Sequence, residues 1–138
     1  MSDVALVGDE GEFAAMHPFP PTSELQFLVG LEISQICLDP WSTQVRFSDG
    51  GRITVEGPFE HLDAQGRPHL HQTGDEQDIG PIFLRDLLQK RVVMVQRDAN
   101  RLTIAFDSGA ILRLWSEAIP YESGQIHPPG REHEPIVF

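Results

Sequence analysis

Cysteine is almost absent from this chain of 138 residues, because Cys37 is the only one. A single cysteine excludes an internal disulfide bond and a zinc site built from cysteines. Long apolar runs are also absent: no stretch of about 18 apolar residues occurs, which excludes a transmembrane helix. The first residues, Met1-Ser2-Asp3, are not a basic region followed by an apolar one, so we expect no secretory signal and a cytoplasmic protein.

Basic residues are scarce as well. The chain has 10 lysines and arginines against 21 aspartates and glutamates, and its net charge is −11. Nucleic acids and anionic membranes bind clustered lysine and arginine. We therefore expect neither nucleic acid nor membrane as a partner.

The acidic residues are unevenly distributed. Segments 1–24, 56–78 and 116–138 are strongly acidic and hold at most one basic residue each, whereas 25–55 and 79–115 together carry a small positive charge. Acidic connectors keep a protein soluble, and they can also attract a basic partner electrostatically. Both interpretations are open at this point.

An internal repeat is present. Segment 25–55 aligns with 84–114 at a constant offset and without a gap, and apolar residues match at most other expected core positions. Two residues that this alignment places together are called repeat counterparts below. The identical pairs are Leu25/Leu84, Leu28/Leu87, Asp39/Asp98, Phe47/Phe106 and Gly50/Gly109. Because the matches coincide with core and turn positions, we predict two copies of one structural unit.

Each unit is predicted to be a short helix followed by three antiparallel strands. Apolar residues at helical spacing occur in 25–29 and 81–88, and clean alternation follows in both units. The glycine-containing segments 48–51 and 107–109 are typical hairpin turns. The predicted fold class is therefore α+β, mainly antiparallel β, with two helix-plus-three-strand repeats that share one core.

The rest of the chain is divided around these units. We expect residues 1–22 to form a flexible arm that is acidic and rich in proline, and 23–138 to form a single domain. An acidic linker, 56–80, joins the two units. The apolar residues 136–138 could add a last edge strand.

Two hairpin motifs resemble a known family. They are Val45-Arg-Phe-Ser-Asp-Gly50 and Ile104-Ala-Phe-Asp-Ser-Gly109, and Tyr121-Glu122-Ser123 follows near the C-terminus. Over roughly 28–126 the chain resembles a small bacterial domain family of unknown function, which pairs two Phe-x-Asp-Gly hairpins with a late Tyr-Glu-x-Trp element. Here the second aspartate comes one place early, and Gly124 stands in place of the tryptophan. The resemblance implies a fold and no established activity.

His69 and His71 are the candidate metal ligands. In a strand, residues two apart point to one side, so both imidazoles could meet one ion. Further candidate ligands nearby are His61, Asp63, Asp75, Glu76 and Asp78. Because the segment is a polar linker with glycine and proline, we expect solvated loop histidines and no tightly bound metal.

No catalytic residue is predicted. Cys37 has no partner base in a local signature and is expected to be a buried structural thiol. Neither a Gly-x-Ser-x-Gly nucleophile motif nor a glycine-rich phosphate loop occurs. The aspartates at the repeat turns are explained as turn formers. We therefore expect a protein that is not an enzyme and uses no cofactor.

The leading hypothesis is a non-enzymatic domain that binds another protein, in the manner of an inhibitor or an immunity-type protein for a basic partner. An exposed indole at Trp41 would suit an interface. The predicted partner-binding residues are Trp41, Glu60, Asp63, Asp75, Glu76 and Asp78. The alternatives are a small-molecule or metal-binding module that uses the His-rich linker, and an enzyme whose site forms at a subunit interface. A homodimer is compatible with the sequence.

Overall fold

The computed structural model describes residues 17–72, 80–116, 123–131 and 133–138, with side chains described for all of these except 80–82. These residues form two antiparallel five-stranded sheets and three short 3-10 helices. The strands are β1 (Ile33–Leu38), β2 (Thr43–Phe47), β3 (Arg52–Val55), β4 (Phe59–Leu62), β5 (Pro68–His71), β6 (Val92–Arg97), β7 (Arg101–Phe106), β8 (Ile111–Trp115), β9 (Gly124–His127) and β10 (Ile136–Val137). Sheet one has the order β1-β2-β3-β9-β10, and sheet two has the order β5-β4-β8-β7-β6.

The predicted α+β fold with two helix-plus-three-strand repeats is wrong, because the part of the chain that is described contains no α-helix. The helical segments are 3-10 turns: η1 (Thr22–Glu24), η2 (Gln26–Leu28) and η3 (Gly80–Leu87). Buried leucines in these turns, or between η1 and η2 in the case of Leu25, lie three residues apart: Leu25 and Leu28, and again Leu84 and Leu87. A spacing of three suits a 3-10 helix, which has about three residues per turn, as well as an α-helix. Short segments also lack the length that makes an α-helix cooperative.

The two sheets have matching strand pairings at the offset of the repeat. Ile33 pairs with Phe47 between β1 and β2, Val92 pairs with Phe106 between β6 and β7, and both ladders shift register directly after that pair. The halves meet at an antiparallel bridge between Glu32 and Arg91, which are themselves repeat counterparts. The two sheets are therefore built on one hydrogen-bonding plan.

Each sheet also takes strands from the other half of the chain. β4 follows sheet one's hairpins but pairs with β8 in sheet two, and β9 follows sheet two's hairpins but pairs with β3 in sheet one. Two strands, β4 and β5, therefore occupy part of the segment 56–80 that the sequence presented as a linker. The predicted last edge strand is confirmed, because β10 forms the outer edge of sheet one.

Both sheets contribute to one cluster of buried apolar side chains, which includes Phe47 and Phe106. The N-terminal end of the described chain also joins it: Phe19 is fully buried and stacks on Phe138 with ring centroids 4.8 Å apart. Residues 1–16 of the predicted arm lie outside the described residues. Within the described chain, no helix has the length and hydrophobicity needed to cross a membrane.

Candidate functional site

The β4–β5 hairpin brings three histidines together. His61 on β4 lies directly opposite His69 on β5, and the two rings stack with centroids 4.8 Å apart. His71 follows on the same side of β5. His61 and His71 are fully buried, and His69 is partly buried. The expectation that His69 and His71 are solvated loop histidines is therefore wrong.

Asp63 closes this hairpin. Its Oδ1 accepts hydrogen bonds from the backbone N–H groups of Gln65 (3.0 Å) and Arg67 (2.9 Å), and its Oδ2 lies 3.1 Å from Arg67 Nε and 3.3 Å from His69 Nε2. The turn's left-handed residue is Gly66, at φ +83°. The Arg67 backbone hydrogen bond, with smaller contributions from His69, Gln65 and the Arg67 charge, lowers the pKa of Asp63 to about 2 against the opposing effect of burial. Asp63 is therefore an ionised turn anchor.

His61 and His71 form a hydrogen-bonded pair, which we call the histidine pair. Nδ1 of His61 lies 3.4 Å from Nε2 of His71, and the rings are within 12° of parallel. The ring centroids are 5.7 Å apart, which equals the nitrogen separation plus about one ring radius on each side. The two nitrogens therefore point directly at each other. One nitrogen must donate and the other must accept. Nε2 of His61 is buried and has no hydrogen-bond partner among the described residues.

His61 is a neutral imidazole near pH 7. Burial lowers the pKa of His61 below its ordinary value of 6.5, and the adjacent His69 lowers it further. The carboxylates of Asp63 and Asp86 act in the opposite direction with smaller effect. His61 therefore offers a hydrogen-bond donor or acceptor rather than a charge.

The position of His61 is apolar in the other sheet. His61 pairs with Leu112, and in sheet one Ile126 pairs with Ile53, the repeat counterpart of Leu112. Ile126 is fully buried, as His61 is. A buried isoleucine is thus compatible with this backbone, so the fold itself does not require a histidine here.

The same comparison holds for His71. It pairs with Phe59, whereas the corresponding residue of sheet one, Phe138, pairs with Gly124 through hydrogen bonds of 3.0 and 3.1 Å. His71 and Phe138 are both fully buried. The histidine pair thus stands where the other half of the molecule has two apolar side chains.

A cleft of about 450 Å³ lies beside His61, between the β4–β5 turn, η3 and the β7–β8 turn. Its polar and charged lining consists of His61, Asp63, Gln65, Arg85, Asp86, Lys90 and Ser108. Lys90 is the only lysine of the chain. Leu87, Leu88 and Ala110 add apolar surface. A volume of this size can hold a small organic molecule.

Sequence reasoning missed the cleft. It named His61 as a possible metal ligand and Asp63 as a possible metal ligand and partner-binding residue, and it did not single out Arg85, Asp86 or Lys90. The solitary Lys90 and the alternation of Phe59 with His61 were the available signals. No local pattern indicates that Lys90 and His61, which are distant in the sequence, line one cavity.

The three predicted partner-binding residues that the structure describes do not lie in one sheet. Trp41 lies in the β1–β2 turn of sheet one, whereas Glu60 and Asp63 lie on β4 and its turn in sheet two. Glu60 forms an ion pair with Arg113 at 3.0 Å, and Asp63 holds its own turn. The other three predicted residues, Asp75, Glu76 and Asp78, lie outside the described residues.

Trp41 itself is exposed on an ordered turn. Its side chain is 79% exposed, and that of Leu38 is 49% exposed. Asp39 Oδ1 accepts hydrogen bonds from the backbone N–H groups of Trp41 (2.8 Å) and Ser42 (2.7 Å), and Oδ2 accepts one from the Ser42 hydroxyl (3.0 Å). These bonds, with the Trp41 one foremost, lower the pKa of Asp39. The indole is therefore presented by a fixed loop.

Two further candidates have clear outcomes. Among the described residues, no group of three or more His, Cys, Asp or Glu side chains is placed to hold a metal ion. Cys37, expected to be buried, is only partly buried.

Comparison of the chain with protein-family models, with curated proteins and with solved structures finds no match.

Proposed function

We propose that this protein is a small-molecule-binding domain whose cleft, beside His61, receives a polar ligand. The observation that carries the proposal is the histidine pair in a core position where the other sheet has Ile126 and Phe138. A buried polar atom without a partner costs about 1–3 kcal/mol. Apolar side chains of similar size would avoid that cost, so the presence of the histidines is best explained by a ligand.

The position of the pair supports the same conclusion. His61 lines a cavity that also contains charged groups from η3 and from Lys90, just before β6, and such convergence of polar groups on a partly apolar cleft is typical of ligand sites. His61 Nε2 is covered in the structure. It would gain its missing hydrogen bond from a ligand in this cleft after a small movement of the cleft wall. This proposal follows the small-molecule alternative rather than the metal alternative.

A thermal-shift screen tests the proposal. Purified protein is heated with a library of small anions, small amines and neutral polar molecules. The matched control is the double variant His61→Ile/His71→Leu, which replaces both buried imidazoles with apolar side chains of similar size. We expect at least one class of compound to raise the melting temperature of the wild type and not that of the variant. Equal effects on both proteins, or no effect on either, would contradict the proposal.

A second candidate function is the binding of a basic protein partner without catalysis, and the exposed Trp41 turn favours it. An ordered, exposed tryptophan beside a second exposed apolar residue, Leu38, is typical of an interface anchor. The net charge of −11 would attract a basic surface.

This second candidate is tested with purified partners. Proteins co-purified from the native host are identified, produced separately and titrated against wild type and Trp41→Ala. A true partner should bind the variant at least about 30-fold more weakly, as expected for an interface hot spot of about 2 kcal/mol or more. Undiminished binding to Trp41→Ala would refute a role for this turn.

A further inference from the structure

The cleft is a region of local positive charge in an acidic protein. Of its charged lining residues, Asp63 is compensated by Arg67 at 3.1 Å. Arg85 and Lys90 remain, against the single carboxylate of Asp86. Neither Arg85 nor Lys90 forms an ion pair with any other described residue. A net positive cleft in a chain of charge −11 attracts a small anion.

The histidine pair supplies a hydrogen-bond donor to the same place. When His71 Nε2–H donates to Nδ1 of neutral His61, the only proton on the His61 ring is at Nε2. That N–H is the buried group without a partner among the described residues. A carboxylate oxygen would accept its hydrogen bond, and a bond to a charged acceptor is stronger than a neutral one.

The remaining lining favours a monoanion with a short apolar body. Asp86 would repel a second negative charge, which disfavours a dianion such as phosphate. Leu87, Leu88 and Ala110 provide apolar surface next to the cations. A small monocarboxylate combines a single charge with an apolar chain of suitable size.

A second cleft, of about 300 Å³, serves as an internal comparison. It occupies the corresponding place in the other half: Phe27 is the repeat counterpart of Asp86, and Pro128 follows β9 as Asp63 follows β4. Its charged lining residues are Glu24, Glu134 and Arg131, with Arg131 near Glu134 at 3.9 Å. This second cleft is net negative and should not hold an anion.

We infer that the cleft beside His61 binds a small monocarboxylate, whose oxygens contact the Lys90 ammonium group, the Arg85 guanidinium group and the Nε2–H of His61. The inference rests on the proposed small-molecule function and names the ligand's chemical class. Lys90 and Arg85 provide the charge, and His61 donates to the ligand in the tautomer whose Nδ1 accepts from His71 Nε2–H. Within the described part of the chain, the other titratable groups that face His61 are Asp63, Asp86, His69 and His71.

The test is a titration with sodium butyrate followed by NMR at constant ionic strength and at about pH 8, where phosphate is mainly a dianion. Butyramide serves as the neutral isostere and sodium phosphate as the dianion. Butyrate should shift the amide signals of the cleft and not those of the second cleft, and it should bind at least tenfold more tightly than butyramide or phosphate. The imidazole ¹⁵N spectrum should show His61 protonated at Nε2 in the complex.

Variants complete the test. Lys90→Met should weaken butyrate binding at least tenfold, whereas Arg46→Met, which removes one positive charge from an exposed site in sheet one, should leave it unchanged. Circular dichroism checks that both variants fold. Equal affinity for butyramide, or full affinity in a folded Lys90→Met, would overturn the inference. If butyrate does not bind, but a neutral or cationic compound binds wild type and not the double histidine variant, only the carboxylate inference is wrong. If nothing binds the cleft, both proposals are wrong.

Discussion

Replacing the histidine pair with apolar residues should stabilise the protein. The change is His61→Ile, which copies Ile126 of sheet one, together with His71→Leu. Leucine is used at position 71 because its partner is Phe59, whereas Phe138 of sheet one faces Gly124, which has no side chain. Both histidine side chains are fully buried, and Nε2 of His61 has no partner among the described residues. The substitutions remove that unsatisfied group and fill the same space with apolar atoms.

The magnitude follows from the buried polar atom. Leaving a buried hydrogen-bonding group unpaired costs about 1–3 kcal/mol, and replacing both members of a buried polar pair with apolar groups is close to neutral or stabilising. We therefore expect the free energy of unfolding to rise by about 1–3 kcal/mol. For a chain of this length, each kcal/mol raises the melting temperature by about 4 °C.

Urea unfolding of four proteins measures the effect: wild type, each single variant and the double variant. Each single variant leaves one histidine without the partner at 3.4 Å, so each should be less stable than the double variant. A double-mutant cycle should show that the two substitutions couple favourably by about 0.5–3 kcal/mol. The slope of the unfolding free energy against urea concentration should stay the same in all four proteins. A double variant less stable than wild type by more than about 1 kcal/mol would refute the reasoning, because the histidines would then be required by the fold.

Three further predictions concern stability. Because the folded-state pKa of Asp63 is lowered to about 2, its ionised form stabilises the protein fully above about pH 4, and this contribution disappears as the pH falls toward 2. The melting temperature of Asp63→Asn should therefore converge on that of wild type as the pH is lowered over this range. A difference in melting temperature that stays constant would contradict this prediction. Phe106→Ala should lower the free energy of unfolding in urea by about 3–5 kcal/mol because Phe106 is 3% exposed in the core, and a loss below about 1 kcal/mol would be inconsistent with that burial. Gly124→Ala should cost about 1–3 kcal/mol in the same assay, since its Cβ would overlap the Thr54 carbonyl oxygen and the Phe138 ring, and an unchanged midpoint would show that the strand can shift.

Sequence reasoning predicted strands where alternation is clean. Val45 and Phe47 on β2, and Leu102, Ile104 and Phe106 on β7, alternate with more exposed residues and lie buried. This pattern is local, since residues two apart share one face of a strand. The predicted helices were wrong because leucines three residues apart occur in a 3-10 turn as well as in an α-helix. Glycine is likewise required at position 124 by a tertiary contact, the overlying Phe138 ring, which no local sequence pattern shows.

The segment 56–80 was misread as a linker for a physical reason. Strand prediction relies on apolar residues at alternating positions, and here the buried positions after Phe59 are His61 and then, on β5, His71. Polar residues on a core face look like polar loop residues in a sequence. The two strands and the cleft beside them were therefore hidden by the very residues that make the site.

The correspondence of the two sheets separates what the fold needs from what it does not. Where both halves need the same side chain, the residues agree, as Phe47 and Phe106 do in the core. Around the cleft they differ. The repeat counterparts of Arg85, Asp86 and Lys90 are Gln26, Phe27 and Leu31, and sheet one has Ile126 in the place of His61. At these positions one backbone plan thus tolerates neutral, largely apolar side chains in one half, while the other half carries two cations, a carboxylate and a buried histidine pair. Packing does not demand this second set, which is why we propose a ligand for it. The double histidine variant tests that proposal directly, because it should gain stability and lose ligand binding together.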